Sequence, residues 1–119
     1  MKKILIVEDV DLNLDLLIQL LEDDYELVSA RDGEAGVKAT EREMPDLILM
    51  DMSLPIMDGW EATCKIKSIE TLKGIPVIGL SAHAMAGDRE KAIEAGCDEY
   101  LTKPINEDIL FEKLEHFLS

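Results

Sequence analysis

Several polar side chains that could do chemistry directly follow short apolar runs in this 119-residue sequence. They comprise three carboxylates, one hydroxyl and one amine: Glu8, Asp9, Asp51, Ser81 and Lys103. Carboxylates held close together repel one another and raise one another's pKa values, and a bound divalent cation relieves that repulsion. Mg²⁺ fits this set best, because it takes one or two protein carboxylates, keeps water ligands and recruits phosphate oxygens.

The same residue types are suited to phosphoryl chemistry. A carboxylate can act as a nucleophile and form an aspartyl phosphate, and the transfer then requires mainly positioning and neutralisation of the phosphoryl oxygens. Mg²⁺ would supply part of the positive charge, Lys103 a second part, and Ser81 a hydroxyl donor. Singly, each residue has an ordinary structural explanation, because a chain with 26 acidic residues often places one after a strand. Together, at four of five predicted strand ends, they indicate a site that accepts a phosphoryl group.

Short β-rich apolar runs alternate with longer segments of helical period along the chain. The predicted strands cover 4–7, 25–29, 47–50, 76–80 and 100–101, and the predicted helices about 11–22, 33–43, 59–69, 86–95 and 106–118. Three of the strands are almost wholly apolar, which is typical of strands covered on both faces. This pattern predicts an α/β fold, a parallel sheet with helices on both faces. In such sheets the carboxyl ends of the strands form the site, so the polar residues should converge there.

Composition excludes several classes of partner. There are 26 acidic against 12 basic residues, a formal net charge of −14, which argues against binding of nucleic acid or an anionic membrane. No apolar run is long enough to span a membrane and the N-terminus does not resemble a signal peptide, so we expect a cytoplasmic location. The two cysteines, Cys64 and Cys97, lack metal-site spacing and are expected to be small buried hydrophobes in a reducing compartment.

The first predicted helix carries leucines on two sides. The spacing of a core-facing stripe is followed by Leu14, Leu17, Ile18 and Leu21. Three more leucines fall on the opposite side: Leu12, Leu16 and Leu20. Scattered surface leucines are common, but a stripe beside the acidic loop is equally compatible with an interaction surface.

The chain resembles a two-component response-regulator receiver domain, similar to a chemotaxis regulator, from Lys3 to the last helix. The motifs that carry the resemblance are Ile-Val-Glu-Asp at 6–9, Asp51-Met-Ser-Leu-Pro-Ile-Met-Asp-Gly59, Ser81-Ala82 and Tyr100-Leu-Thr-Lys-Pro104. Each alone is weak, whereas all four in this order are highly specific. The resemblance implies a doubly wound, flavodoxin-like, five-stranded parallel sheet in the order 2-1-3-4-5.

The resemblance also implies residue roles. Asp51 would be the phosphoacceptor and Lys103 the partner of the phosphoryl group, with a cis peptide before Pro104. Mg²⁺ would be held by three carboxylates and one backbone carbonyl: those of Glu8, Asp9, Asp51 and Ser53. Ser81 would be the switch hydroxyl. Tyr100 would turn inward when Ser81 moves to the phosphate, although a core tyrosine is the alternative.

Three positions depart from or vary within the family pattern. Val10 stands where many members carry Asn. Ser53 and His83 occupy the two positions that tune self-dephosphorylation in the family, so the lifetime of the phosphorylated state does not follow from the sequence. His83 is expected to be an exposed loop residue rather than a base.

The implied function is that of a phosphoacceptor signalling protein rather than a turnover enzyme. We expect residues 1–119 to form one receiver domain without an output domain, phosphorylated by a histidine kinase or a histidine phosphotransfer protein and reversed by slow self-dephosphorylation. Partner binding is expected on the 84–118 face, in a monomer or a weak phosphorylation-linked dimer. Leu12, Leu16 and Leu20 are expected to dock the donor. The alternative is the receiver module of a hybrid sensor histidine kinase.

Two other classes share part of the pattern. A small flavin carrier has a similar architecture, but it needs a donor-rich loop after the first strand, where Glu8-Asp-Val-Asp11 would repel the cofactor phosphate. An aspartyl phosphatase of the haloacid-dehalogenase type would carry a second Asp at the position of Ser53. A degenerate receiver acting only as a docking module is disfavoured, because all the key positions are filled.

Overall fold

Five parallel strands alternate with five helices in the computed structural model, which describes residues 1–82 and 87–118. The elements are β1 (Lys3–Val7), α1 (Asp11–Leu21), β2 (Glu26–Ala30), α2 (Gly33–Glu43), β3 (Leu47–Asp51), α3 (Gly59–Ser68), β4 (Val77–Ser81), α4 (Asp88–Ala95), β5 (Glu99–Thr102) and α5 (Glu107–Leu118). The sheet order is β2-β1-β3-β4-β5 and every strand pair is parallel. The predicted fold class and strand order are confirmed.

Local signals in the sequence explain where the helices begin. The side chains of three residues accept a hydrogen bond from a backbone N–H in the first turn: Asp32 from Ala35 (2.7 Å), Asp58 from Glu61 (2.8 Å) and Asn106 from Ile109 (3.1 Å). These bonds satisfy backbone donors that have no partner inside the helix. The predicted boundaries therefore lie within a few residues of those observed.

The second strand begins at Glu26 rather than at the predicted Tyr25. The backbone N–H of Tyr25 donates to the carbonyl of Leu21 at 3.0 Å, which continues the last turn of α1. The Tyr25 side chain is partly buried and packs against the hydrophobic core.

The sheet separates two hydrophobic cores. On one face, Val37, Ala62 and Ala92 bring α2, α3 and α4 into a single cluster. On the other face, Leu17 and Leu114 bring α1 and α5 into a second cluster. Alternate residues of the fully buried strand β3 contribute to the two clusters, which explains the almost continuous apolar run in its sequence.

The strand order reverses between β1 and β3, since β1 pairs with β2 on one side and with β3 on the other. A crevice at the carboxyl ends of the strands is expected at such a point. The start of α3 is held close to it: the N–H of Gly59 donates to the carbonyl of Met52 at 3.1 Å, and a Cβ on Gly59 would overlap the carbonyl oxygen of Asp51. Only glycine fits at this approach.

Cys97 is buried, as predicted, whereas Cys64 is exposed and the prediction of its burial is wrong. Cys64 lies on α3 next to the buried Thr63 and faces away from the sheet. Within residues 1–82 and 87–118, no helix combines the length and the apolar character that a membrane crossing requires.

Candidate functional site

Three carboxylates meet at the carboxyl ends of β1 and β3. One ligand oxygen from each of Glu8, Asp9 and Asp51 lies within 4.8 Å of the other two. Glu8 and Asp51 are buried, and Asp9 is half-buried at the mouth of the crevice. The convergence predicted from the strand ends is therefore present in the structure.

Lys103 reaches these carboxylates from the end of β5. Its Nζ lies 2.8 Å from Glu8 Oε1 and 3.4 Å from Asp51 Oδ2. The backbone N–H of Lys103 donates to the carbonyl of Ser81 at 2.7 Å, which fixes the base of the side chain to the end of β4. The peptide bond between Lys103 and Pro104 is cis, as the family resemblance implied.

Backbone donors orient two of the carboxylates. The N–H of Val10 donates to Glu8 Oε2 at 3.2 Å, and the N–H of Ser53 donates to Asp51 Oδ1 at 3.1 Å. The second contact leaves the other oxygen of Asp51, Oδ2, on the side of Lys103. Because Val10 contributes only its backbone here, the departure from Asn at this position does not remove the contact.

The electrostatics of the site reflect crowded carboxylates in a buried place. Burial first and the adjacent Glu8 carboxylate second raise the pKa of Asp51 to about 6, against the opposing effects of the Ser53 N–H and Lys103. Burial would also raise the pKa of Glu8, but hydrogen bonds from Lys103, Asp51 and the Val10 N–H hold it below its usual value.

Burial would lower the pKa of Lys103, but its bond to Glu8 and the charge of Asp51 raise it above its usual value. The lysine is therefore a cation, and it compensates only part of the negative charge of the three carboxylates.

The donor set fits a hard divalent cation. All three candidate ligands are carboxylate oxygens, which Mg²⁺ prefers, and the half-buried Asp9 leaves one side of the cluster accessible to solvent. Burial and the neighbouring Glu8 carboxylate both disfavour the charged form of Asp51, and a cation bound beside it would favour that form. Ser53 is exposed next to Asp51, and the role of its carbonyl as a ligand stays a prediction.

Ser81 and Tyr100 lie on the neighbouring strands β4 and β5. Ser81 is buried at the last position of β4, in register with Thr102. Tyr100 is buried in the cluster shared with α3 and α4, and pairs with Gly79 two residues before Ser81. The inward position of the ring is compatible with both interpretations of Tyr100, as a switch residue and as a core tyrosine.

The leucines on the outer side of α1 do not form one uniform stripe. Leu12 and Leu16 are 69% and 52% exposed, whereas Leu20 is half-buried against the α1–α5 core. Leu16 and Leu20 line a groove of about 480 Å³ that reaches Glu8 and Lys103 at one end. Its remaining apolar wall consists of Leu17, Leu80, Pro104 and Ile105.

Sequence reasoning missed the contribution of the segment after β5 to this groove. Ile105 follows Pro104 directly, and an apolar residue just after the Lys-Pro motif was a usable signal. Two predictions fall outside the described residues: His83, and the part of the 84–118 face formed by residues 84–86.

Comparison with known proteins agrees with this geometry. A family model described as the response regulator receiver domain matches residues 4–115. The polar-differentiation response regulator DivK of Brucella abortus (strain 2308) is 40% identical over 118 residues, which cover 98% of this chain and 96% of that protein. Hybrid signal transduction histidine kinase I of Dictyostelium discoideum is 41% identical over 119 residues, but this chain spans only 7% of the length of that kinase.

A solved receiver structure has the same fold as this chain and holds a metal ion in its cleft. The receiver domain of sensor histidine kinase PA1611 from Pseudomonas aeruginosa PAO1 superposes with a TM-score of 0.90 at 37% identity, covering 98% of this chain and 96% of that one. That structure has a magnesium ion coordinated in its active-site cleft. The chain belongs to the response regulator receiver domain family.

Proposed function

We propose that this receiver accepts a phosphoryl group on Asp51 from a phosphohistidine on a partner protein. The observation that carries the proposal is the position of Lys103 Nζ, 2.8 Å from Glu8 and 3.4 Å from Asp51, within a cluster of three carboxylates. An isolated ion pair would need one carboxylate. A carboxylate nucleophile with an ammonium cation and two further carboxylates around it is suited to phosphoryl transfer.

In the transfer step, a carboxylate oxygen of Asp51 attacks phosphorus and forms the new O–P bond. The P–N bond to the donor imidazole breaks, and the imidazole leaves with the electron pair and takes up a proton. The Ser53 N–H holds Asp51 Oδ1 in place, so Oδ2, on the side of Lys103, is the attacking oxygen. Lys103 then pairs with the phosphoryl oxygens.

The residues that would hold Mg²⁺ are Glu8, Asp9 and Asp51, with the backbone carbonyl of Ser53. The ion supplies positive charge to the phosphoryl oxygens when it is bound. Support comes from the all-oxygen donor set in this chain and from the magnesium in the cleft of the PA1611 receiver. Reversal is hydrolysis: water attacks phosphorus, the O–P bond breaks, and inorganic phosphate leaves a free Asp51 carboxylate.

The proposed signal output begins with a new hydrogen-bond acceptor for Ser81, supplied by the phosphoryl group. The hydroxyl of Ser81 gains a charged acceptor beside Asp51, and Tyr100, two residues away across the β4–β5 pair, is the side chain best placed to respond. We expect the response to reach the 84–118 face, of which β5 and α5 are wholly described. Binding of a downstream protein there, by a monomer or a weak dimer, is part of the proposal.

The donor is proposed to dock in the groove between α1 and the segment after β5. The groove is apolar along Leu16, Leu20 and Ile105, and it ends at the carboxylates, so a helix lying in it would bring its own side chains to Asp51. Two acidic side chains also line it, Glu8 and Glu107. The matching donor is therefore a helical protein with an apolar stripe flanked by basic residues.

The proposal is tested by intact mass after incubation with acetyl phosphate and Mg²⁺. Wild type is expected to gain one phosphoryl group. Asp51→Asn is expected to gain none, and neither is wild type in the presence of a chelator. Asp58→Asn is the matched control, because this exposed acid caps α3 and lies outside the cluster. Failure of wild type with both acetyl phosphate and a phosphohistidine donor would contradict the proposal.

The alternative is that these residues form the receiver module of a hybrid sensor histidine kinase. The identity to the Dictyostelium kinase supports it, as does the superposition on the receiver of a Pseudomonas sensor kinase. The site chemistry is the same in both cases. Reading the gene on either side of this segment decides between them, since a hybrid kinase carries its kinase domains in the same open reading frame.

A further inference from the structure

Helix α4 is weakly anchored to the rest of the domain. Ala92 is its only buried residue among the described positions, whereas the other helices bury two to five residues each. It is bounded by Gly87 and Gly96, both with positive φ, and its first turn has no side-chain cap. Little apolar packing therefore fixes where this helix lies, and its position is sensitive to individual contacts.

Two cationic side chains hold α4 from opposite sides. Arg89 pairs with Glu99 on β5 at 3.1 Å. On the other side, Lys91 Nζ lies 4.3 Å from the centre of the Trp60 ring on α3, within the range of a cation–π interaction. The second contact connects α4 to the helix that begins beside the proposed phosphoacceptor.

Trp60 is next in sequence to a residue that packs on the backbone of Asp51. It directly follows Gly59, which packs on the backbone of Asp51 and donates to the carbonyl of Met52. The indole Nε1 is buried and, within the described part of the chain, has no hydrogen-bond partner. A buried N–H without a partner is unfavourable. Because no hydrogen bond to a described residue fixes the indole ring, its position depends on packing and on Lys91.

We propose that Lys91 and Trp60 form a latch that holds α4 against the first turn of α3 in the unphosphorylated protein and that opens when the domain switches. This rests on the proposed function of Asp51. A contact made in only one of two conformations biases the equilibrium toward that conformation, and a ligand that prefers the other then binds more weakly. Removing the latch should therefore strengthen binding of a phosphoryl analogue at Asp51, although Lys91 is not part of the site.

The test is calorimetric titration with beryllofluoride, a tetrahedral phosphoryl analogue, in the presence of Mg²⁺. Lys91→Met keeps the apolar stem and removes the charge, and it is expected to bind about three- to tenfold more tightly than wild type. Lys91→Arg retains a cation over the ring and should match wild type. Lys73→Met removes the same charge at an exposed position where the lysine pairs with Glu70, and it should also match wild type.

A second readout uses Trp60 itself, the single tryptophan of the chain. Its emission should change when beryllofluoride binds to wild type, because the lysine leaves the ring. The change should be reduced in Lys91→Met, in which no cation departs. Mg²⁺ alone should bind equally well to both proteins.

The outcomes separate the latch from the proposed function. Equal beryllofluoride affinity of Lys91→Met and Lys73→Met would overturn the latch and leave the phosphoacceptor role of Asp51 intact. Calorimetric binding to wild type without any change in Trp60 emission would overturn the latch as well. Failure of wild type to bind beryllofluoride with Mg²⁺ would overturn the proposed function and the latch together.

Discussion

Lys103 and Glu8 are 95 positions apart in the sequence and form a 2.8 Å ion pair inside the crevice. The Glu8 side chain is almost completely buried, and that of Lys103 is 18% exposed. Burying a carboxylate without a partner is unfavourable, so this pair neutralises a charge that the fold would otherwise have to accommodate. The amine proposed to bind the phosphoryl group is thus also part of the structure before any phosphoryl group arrives.

Lys103→Met is expected to destabilise the domain by about 2 to 3 kcal/mol, below the range for a fully buried pair because the lysine is partly exposed. The loss should be largely recovered in the double variant with Glu8→Gln, which removes the unpaired charge. Urea unfolding of the two single variants and the double variant measures this coupling. Strictly additive effects would show that the pair does not stabilise the fold.

Asp51→Asn is expected to stabilise the metal-free protein by about 1 to 3 kcal/mol near neutral pH. The pKa of Asp51 is raised from 3.8 to about 6, so the folded state binds a proton that the unfolded state has already released between these values. Stability of wild type relative to the variant therefore falls as the pH rises from about 4 to 6, and is constant above that range.

This pH dependence is measured by urea unfolding with chelator at several pH values. Asp15→Asn, an exposed acid on α1, serves as the control and should show no comparable trend. A difference between Asp51→Asn and wild type that is the same at pH 4 and pH 7 would contradict the crowding of charge at this position.

Mg²⁺ is expected to raise the melting temperature of wild type by several degrees, since a ligand that binds only the folded cluster stabilises it by mass action. Asp9→Asn should reduce the increase strongly, because it removes the most accessible of the three carboxylates. Thermal melts with MgCl₂ or with NaCl of equal ionic strength separate binding from screening. An equal increase in both salts would argue against a specific site.

Leu16→Asp is expected to slow phosphoryl transfer from the cognate donor at least fivefold, because it places a charge in the apolar wall of the docking groove. Its rate with acetyl phosphate should be unchanged, since the small donor needs no docking. Ile93→Asp, at an exposed isoleucine of α4, is the matched control. An unaltered transfer rate from the protein donor would rule out this groove as the docking surface.

Ile56→Asn is expected to stabilise the protein by about 0.5 to 1 kcal/mol. Ile56 has a φ of 68°, a left-handed conformation that β-branched residues rarely adopt. Its side chain is 78% exposed, so burial of the side chain does not offset this backbone strain. Asn tolerates this conformation better. Ile93→Asn, in a regular helix, should not give the same gain in urea unfolding. A loss of stability in Ile56→Asn would show that loop packing outweighs the backbone strain.

The sheet and its polar edge were predictable because their signals are local. Apolar runs such as residues 47–50 specify buried strands, and Asp32 and Asp58 mark helix starts through short-range hydrogen bonds. Since parallel strands end at one edge, the convergence of Asp9 and Lys103 follows from topology.

The features that the sequence did not predict depend on contacts between distant parts of the chain, which no local pattern encodes. Lys91 and Trp60 are both ordinary residues for a helix surface, and neither local sequence predicts the contact between the lysine ammonium and the tryptophan ring. Leu20 is half-buried because it packs against the cluster between α1 and α5. Cys64 is exposed because its place on α3 is one residue beyond the buried Thr63.

The sheet separates the proposed docking groove from the Lys91–Trp60 contact. The docking groove belongs to the face packed by α1 and α5, and the Lys91–Trp60 contact to the face packed by α3 and α4, with fully buried strands between them. Asp51 and Ser81, at the strand ends, lie at the edge where the two faces meet. Exchanging the outer residues of α1 should therefore retarget the protein to a new donor while its switching behaviour is inherited unchanged.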